Sequence, residues 1–316
     1  MTRSLAAFLV MLLSSAAFSQ YPNRPIRLIV PFPPGGAAEL GARIFAQPLG
    51  QQLGQAVVIE TKPGAEGIIA SELVKQAAPD GYTLYYGTAT GMSYAPAAKK
   101  VRPYDPVNDF TPISMVGIFG FFLVSNADLP ANNINELIAY ARANPGKLNY
   151  GTGNATSILA TAQFAAQQKI DVAHIPYKGD GPLTADLLAG RVQMAIMTPG
   201  LAAPHVKEGK LRALATLLPS RNALLPDAPT LKEAGLADVP ITPWGGLFGP
   251  AKLPKEIVDR VNREMVVLLA KPDVKEAFGR LAFEPRSSSP QELTAFVAQQ
   301  LDAYGRAAKA VGLSLD

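Results

Sequence analysis

Short runs of β-branched and aromatic residues alternate along the chain with longer stretches in which apolar residues recur at helical spacing. The first kind predicts strands over residues 26–30, 56–60, 83–86, 122–124, 147–150, 192–197 and 211–215. The second kind predicts helices between them, including one from about 254 to 270 with Ile257, Val261 and Met265 on one face. Another helix begins after Ser289, where Glu292 is placed to close a capping box. The alternation predicts an α/β protein with largely parallel sheets.

Two glycine-rich stretches, 116–121 and 243–250, suit places where the chain crosses between two parts of the molecule. Crossing at both would place residues 20–120 and 243–316 in one lobe and residues 121–242 in the other. A double crossing makes a hinge, and a hinged cleft between two lobes is a common way to close around a small ligand. We therefore expect two lobes with a binding cleft between them.

One local pattern, a strand followed by a glycine-rich turn and the start of a helix, occurs twice. In the first copy strand 26–30 leads into Pro31-Phe-Pro-Pro-Gly-Gly-Ala-Ala-Glu39, and in the second strand 147–150 leads into Gly151-Thr-Gly-Asn-Ala-Thr-Ser157. Glycine lets the backbone approach a ligand closely, and the first helical turn offers unpaired N–H groups at the positive end of the helix dipole. Facing each other across a cleft, the two turns would suit a molecule with a carboxylate at one or both ends. The alternative is that the glycines only permit tight strand-to-helix turns.

Glu39 lies in the first turn of the helix that follows the first glycine-rich turn. An acidic side chain is favourable there through the helix dipole alone. The functional interpretation is that Glu39 projects into the cleft and accepts a hydrogen bond from an ammonium, a hydroxyl or a protonated carboxyl of the ligand. The sequence leaves both interpretations open.

Composition narrows the function classes. The chain has 316 residues, of which 48% are hydrophobic and 17% charged, and it has no cysteine. The hydrophobic and charged fractions are typical of a globular protein. Because there is no cysteine, no thiol is present for a disulfide or a lipid anchor. The 29 basic and 25 acidic side chains are scattered rather than gathered in a basic stripe, so we expect no nucleic-acid partner.

The first 19 residues have the features of a secretory signal peptide. Arg3 precedes an apolar stretch over residues 5–18, which is shorter than a membrane-spanning helix. Small residues at Ala17 and Ser19 suit cleavage after Ser19. We expect a protein free in the periplasm, and the alternative is an uncleaved membrane tether.

Groups that catalyse reactions are sparse. His174 and His205 are the only histidines, they are not spaced as metal ligands, and there is no cysteine. The nearest approach to a nucleophile elbow, Gly91-Met-Ser-Tyr-Ala95, lacks the final glycine. The turn at 151–156 lacks the third glycine of a dinucleotide fingerprint. We therefore expect no enzyme, no metal and no cofactor.

Several short motifs occur in order along nearly the whole mature chain: Tyr21-Pro-Asn-Arg-Pro-Ile-Arg-Leu-Ile-Val-Pro-Phe-Pro-Pro-Gly-Gly36, Lys62-Pro-Gly64, Pro79-Asp-Gly-Tyr-Thr-Leu84, Tyr104-Asp-Pro106 with Asp109-Phe110, Asn144-Pro-Gly-Lys-Leu-Asn-Tyr-Gly151, His174-Ile-Pro-Tyr-Lys-Gly179, Gly209-Lys-Leu-Arg-Ala-Leu-Ala215, and Leu225-Pro-Asp-Ala-Pro-Thr230 with Glu233-Ala-Gly235. In these motifs the chain resembles the Bug-type periplasmic solute receptors of tripartite tricarboxylate transporters. The resemblance implies a two-lobed type II periplasmic-binding-protein-like fold, a Venus flytrap, that closes on a small carboxylate. In such receptors backbone groups and bridging waters of the two glycine-rich turns hold the ligand.

Carried over by position, the resemblance nominates ligand-binding residues from both turns and from two nearby segments. The first turn supplies Phe32, Pro34, Gly35, Gly36 and Ala37, and Glu39 follows it; the second supplies Thr152, Gly153, Asn154, Ala155 and Thr156. Secondary candidates are Gly87, Thr88, Thr90 and the segment from Tyr177 to Gly179.

Two positions depart from the family pattern. Glu39 stands where many relatives have Asp, and Ile158 stands where relatives often have His. The first change should reduce room or shift the polar contact, and the second removes a titratable donor, so the two favour a ligand smaller or more apolar than citrate.

We therefore expect an extracytoplasmic receptor that binds a small carboxylate, first of all a dicarboxylate or an aromatic acid. It would deliver this ligand to the integral-membrane subunits of a tripartite tricarboxylate-type transporter through transient contacts, and it would be a monomer. One alternative is a sensing module that presents the same closed flytrap to a membrane sensor kinase. Another is an exported hydrolase that acts on an ester or a glycan.

Overall fold

A computed structural model describes residues 21–239, 241, 243–310 and 312. The predicted signal peptide lies outside these residues. No helix among the described residues combines the length and the apolar character needed to cross a bilayer.

Strands form where β-branched and aromatic residues cluster. They are β1 (Ile26–Val30), β2 (Val57–Thr61), β3 (Thr83–Thr88), β4 (Phe110–Phe119), β5 (Phe122–Asn126), β6 (Leu148–Thr152), β7 (Val172–Pro176), β8 (Met194–Met197), β9 (Leu211–Thr216), β10 (Trp244–Pro250) and β11 (Phe283–Pro285). All seven predicted strands are confirmed, with ends that shift by up to two residues.

The α-helices occupy the predicted intervals between strands. They are α1 (Ala37–Leu53), α2 (Ile68–Lys75), α3 (Ala95–Ala98), α4 (Ile134–Ala143), α5 (Ala155–Gln168), α6 (Asp180–Leu188), α7 (Pro199–Lys207), α8 (Lys255–Ala270), α9 (Pro272–Gly279) and α10 (Pro290–Ala310). A 3-10 turn covers Ala65–Gly67, and a π-helical turn, Thr90–Tyr94, precedes α3. The predicted capping box before α10 is confirmed, because Ser289 N donates to Glu292 Oε2 at 2.8 Å and Glu292 N donates to Ser289 Oγ at 3.2 Å.

The strands form two mixed sheets. The six-stranded sheet has the order β11-β4-β10-β3-β1-β2, and the five-stranded sheet has the order β7-β6-β8-β5-β9. In the first, β1 is parallel to β2 and β3, but β10 is antiparallel to β3 and β4. In the second, β6 is parallel to β7 and β8, but β5 is antiparallel to β8 and β9. The prediction of largely parallel sheets is therefore wrong. Each sheet includes an inner strand, β10 or β5, that directly follows the passage of the chain from the other sheet and is antiparallel to both of its neighbours.

The two glycine-rich stretches predicted as crossings are strands for most of their length. They form β4 and β10, which pair with each other, and the chain passes between the sheets at their ends, once after Phe119 and once before Trp244. Gly117 has a φ of 154°, and a Cβ there would lie 2.1 Å from the carbonyl oxygen of Glu284. Close strand packing therefore explains this glycine. The lobe boundaries at residues 121 and 242 stay a prediction.

The hydrophobic core is continuous between the two sheets. One buried cluster includes Tyr85 and Trp244 of the six-stranded sheet, Leu123 of the five-stranded sheet, and Leu159 of α5. A second cluster lies between the other face of the six-stranded sheet and α1 and α8, where Phe45 packs edge-on against Tyr86 at 5.3 Å. Full burial of each large apolar side chain contributes about 1.5–3 kcal/mol to the free energy of folding. This packing holds the carboxyl ends of β1, β3, β6 and β8 around one central space.

Candidate functional site

A cavity of about 400 Å³ lies between the two sheets. Its wall combines turns that follow strands of the six-stranded sheet with turns that follow strands of the five-stranded sheet. The lining residues are Phe32, Pro33, Pro34, Gly35, Gly36, Ala37, Ala38, Leu40, Thr88, Ala89, Thr90, Phe119, Phe121, Gly153, Asn154, Thr156, Lys178, Gly179, Asp180, Gly181, Pro182, Thr198, Gly200, Leu201, Pro243, Trp244 and Leu281. Both predicted glycine-rich turns therefore meet at one cavity, as expected for a cleft between lobes.

The first glycine-rich turn leads directly into α1. Gly35 has a φ of 81°, a left-handed conformation that favours glycine, and Gly36 N donates to Pro33 O at 3.3 Å. Gly36 is the N-cap of α1, and no side chain caps the helix. The N-terminal N–H groups of α1 are therefore available at the cavity wall.

Glu39 does not line the cavity. It is only 1% exposed, its Oε2 accepts a hydrogen bond from Gly35 N at 3.0 Å, and its Oε1 forms an ion pair with Arg43. The carboxylate thus holds the glycine-rich turn in place by bonding its backbone. The hydrogen bond and the ion pair both lie within the turn and the first helical turns of α1, which favours the local interpretation, and contact between Glu39 and the ligand stays a prediction.

The second glycine-rich turn is capped more fully than the first. Asn154 Oδ1 accepts from Ser157 N at 3.0 Å, and Ser157 Oγ accepts from Asn154 N at 3.4 Å. The carboxylate of Glu66 accepts a hydrogen bond from the backbone N–H of Ala155. Part of the expected anion-binding capacity of α5 is therefore already used by the protein itself.

Two further helices begin at the cavity, and their starts are not among the anion sites predicted from the sequence. Gly179, the N-cap of α6, has a φ of 107°, and Thr198 is the N-cap of α7; neither helix has a side-chain cap. The sequence carries a signal for the second start, because Pro199 follows Thr198 directly after β8 and proline is favoured at the first helical position. Four helix N-termini, those of α1, α5, α6 and α7, therefore lie at one cavity.

Asp180, the first residue of α6, has a carboxylate on the cavity side of the five-stranded sheet. Its Oδ2 accepts from Thr198 Oγ1 at 2.8 Å, whereas its Oδ1 is buried and has no hydrogen-bond partner. Burial raises the pKa of this carboxyl above its ordinary value, and the hydrogen bonds from Thr198 oppose that shift only in part. Lys178, the other titratable residue that lines the cavity, is exposed.

Among the residues predicted to bind ligand, eleven lie on the wall and are placed together there: Phe32, Pro34, Gly35, Gly36, Ala37, Thr88, Thr90, Gly153, Asn154, Thr156 and Gly179. Five do not, namely Glu39, Gly87, Thr152, Ala155 and Tyr177.

The positions of these five residues have physical causes. Thr152 Oγ1 is bonded to His174 Nε2 at 2.7 Å, and Tyr177 OH donates to Asp186 Oδ2 at 2.7 Å. Burial, together with Asp186, raises the pKa of Tyr177 to about 12. Gly87 is packed inside β3, where a Cβ would lie 2.9 Å from the Met92 side chain, and Ala155 is fully buried.

The rest of the wall is mainly apolar, and two of its residues carry buried polar atoms without a partner. Trp244 is fully buried and packs edge-on against Phe296, with ring centroids 5.4 Å apart. It also lines the cavity, so Trp244 belongs both to the core and to the wall of the cleft. Trp244 Nε1 and Thr88 Oγ1 have no hydrogen-bond partner in the described part of the chain. Since a buried polar group without a partner is costly, the cavity offers unused hydrogen-bonding capacity beside apolar surface.

Comparison with known proteins gives a consistent result. Residues 41–313 match the family described as "Tripartite tricarboxylate transporter family receptor". The chain is 36% identical over 298 residues to the protein of the tcbD-tcbE intergenic region of Pseudomonas sp. (strain P51), covering 92% of this chain and 88% of that one.

Solved structures agree with this match. The Rpa4515 protein of R. palustris, solved with adipate, is 30% identical, with a TM-score of 0.87 over 93% of this chain and 99% of its own. The periplasmic binding protein BugD is 32% identical, with a TM-score of 0.84 over 93% of this chain and 99% of its own. The two-lobed binding-protein fold implied by the sequence motifs is confirmed.

Proposed function

This chain belongs to the tripartite tricarboxylate transporter receptor family, and we propose that it is a periplasmic solute receptor that binds a small carboxylate in the cavity between its two sheets. After binding, the receptor delivers the ligand to the integral-membrane subunits of its transporter through transient contacts. It carries out no covalent chemistry, works as a monomer, and reaches the periplasm through the signal peptide predicted at residues 1–19.

The observation that carries this proposal is the meeting of four helix N-termini at one cavity. Each helix N-terminus is equivalent to roughly half a positive elementary charge, and α1, α6 and α7 lack a side-chain cap. Together they favour an anion without any arginine clamp. At the starts of α6 and α7 the carboxylate of Asp180 already uses part of this positive potential, so a ligand carboxylate is expected at the start of α1. Because the remaining wall is largely apolar, it suits the hydrocarbon part of a small organic acid.

Cavity size and the relatives support the same ligand class. A volume of about 400 Å³ is typical of a site for a small metabolite. The R. palustris relative was solved with adipate, a dicarboxylate. We propose that a dicarboxylate or an aromatic acid binds with its carboxylate near Gly36 and Ala37, within reach of Thr88 and Thr90.

Filling the cavity tests this proposal. Gly200, at the start of α7, lines the wall, and a Cβ there would meet no atom within 4 Å, so Gly200→Val adds a branched side chain to a wall residue whose Cβ has open space. Gly279→Val is the matched control, because Gly279 also has open space around it but does not line the cavity. The assay is the thermal shift of the mature protein with a panel of mono-, di- and tricarboxylates, amino acids and aromatic acids.

We expect at least one ligand to stabilise the wild type and the Gly279→Val variant but not the Gly200→Val variant. Binding to the folded state at a hundred times the dissociation constant adds about 2.7 kcal/mol of stability. If no ligand of the panel shifts the melting temperature of the wild type, or if Gly200→Val binds as tightly as the wild type, this cavity is not the receptor site.

A further inference from the structure

We propose that Asp180 selects ligands that carry an ammonium group in addition to their carboxylate. This inference rests on the proposed receptor function and names the ligand class more closely. It replaces Glu39, which the sequence suggested for the same task, with a residue that does line the cavity.

The Asp180 carboxylate lies between the start of α7 and the second glycine-rich turn. Asp180 begins α6, and its side chain reaches Thr198 at the start of α7, with Oδ2 accepting from Thr198 Oγ1 at 2.8 Å. On the other side it lies against Gly153, where a Cβ would be only 2.2 Å from Asp180 Oδ1. Since Gly153, Asp180 and Thr198 all line the cavity, a ligand group seated beside them lies close to this carboxylate.

One oxygen of the Asp180 carboxylate has no hydrogen-bond partner. Asp180 Oδ1 is buried and accepts no hydrogen bond, and within the described residues no cationic side chain pairs with Asp180. The starts of α6 and α7 compensate the charge of this carboxylate only in part, because burial still raises its pKa. A ligand cation would supply the missing charge, and the attraction is strong at short range because the surroundings have a low dielectric constant.

The two sides of the cavity wall differ in charge. The turn at Gly35, Gly36 and Ala37 presents N–H groups of α1 to the cavity, and the acidic residue nearest to it, Glu39, is paired with Arg43 behind the wall. That side of the cavity favours an anion. The side formed by Asp180 and Thr198 already contains a carboxylate, so a second ligand carboxylate there would be repelled or would have to be protonated. The two sides together fit a carboxylate ligand that also carries an ammonium group, an amino dicarboxylate included, better than the same acid without the ammonium group.

Matched pairs of ligands test the inference. The probes are succinate with L-aspartate, glutarate with L-glutamate, adipate with 2-aminoadipate, and butanoate with 4-aminobutanoate, each titrated calorimetrically. Wild-type protein is compared with Asp180→Asn, which keeps the shape and an acceptor for Thr198 but removes the charge. Asp180→Ser is a second variant without the charge, and circular dichroism verifies that both variants fold. Asp186→Asn is the matched control, because Asp186 lies on the same helix but off the wall.

We expect the wild type and Asp186→Asn to bind the amino member of at least one pair about 10- to 100-fold more tightly than its plain partner, a ratio typical of one hydrogen bond to a charged group. In Asp180→Asn and Asp180→Ser this ratio should fall close to one. A wild type that prefers the plain acids, or a ratio unchanged in both Asp180 variants, overturns the role of Asp180 while leaving a carboxylate receptor. If the wild type binds none of these probes and no other carboxylate, both the inference and the proposed function fail.

Discussion

Removal of the Glu39 carboxylate tests how the first glycine-rich turn is held. Glu39 is 1% exposed, bonds Gly35 N at 3.0 Å and pairs with Arg43, whose side chain is 63% exposed. In Glu39→Ala the Gly35 N–H loses its acceptor, which costs about 1–3 kcal/mol, and the loss of a pair with an exposed arginine adds about 0–1 kcal/mol. We therefore expect a loss of about 1–4 kcal/mol in the free energy of unfolding.

Two further variants separate these contributions. Glu39→Gln keeps an acceptor for Gly35 N and should cost about 1 kcal/mol or less. Arg43→Ala leaves the buried carboxylate without its cation and should cost about 1–3 kcal/mol. The free energy of unfolding is measured by urea denaturation, followed through the fluorescence of Trp244, the only tryptophan of the chain. Ligand affinity should fall in Glu39→Ala because the turn is less rigid, but the order of preference among ligands should not change.

A Glu39→Gln variant that unfolds like the wild type but ranks the ligands differently would contradict this role of Glu39. Such a result would mean that the Glu39 side chain touches the ligand.

Two other predictions follow from local geometry. Burial raises the pKa of the Glu66 carboxyl, so ionisation of Glu66 destabilises the folded state once the pH exceeds the ordinary glutamate range. Glu66→Gln keeps an acceptor for Ala155 N but cannot ionise. This variant should therefore melt at a higher temperature than the wild type at pH 7 but not at pH 4. An equal gap at both pH values would contradict this. Gly36 has an extended backbone with a φ of −76°, and a Cβ there would lie 3.4 Å from Pro33 O, so Gly36→Val should fold normally but bind ligand at least tenfold more weakly in calorimetry. Unchanged affinity would place the ligand away from the first turn.

The sequence predicts the fold well where one physical signal dominates. The run from Ile26 to Val30 is a strand because β-branched residues suit a buried sheet, and the Ser289 and Glu292 pair marks the start of α10 because capping is local. By contrast, β10 is rich in glycine and was expected to be a crossing; its place in the sheet is set by pairing with β3 and β4, which are distant along the chain. Tertiary contacts therefore override its local signal.

The candidate site shows the same division. The two glycine-rich turns could be identified because strand, glycine and helix start are neighbours in sequence. Asp180 could not, because its significance depends on Thr198 and Gly153, which only the folded chain brings to it. Glu39 is open to two interpretations, and the bond to Gly35 N favours the local one.

Native mass spectrometry of the protein purified from the periplasm, followed by release and identification of any bound small molecule, tests the central claim most directly. We expect one small carboxylate per protein molecule, lost in the Gly200→Val variant and retained in the Gly279→Val variant. A stoichiometric ligand without a carboxylate, or one that persists in Gly200→Val, would contradict the claim that the helix N-termini at this cavity bind an organic acid.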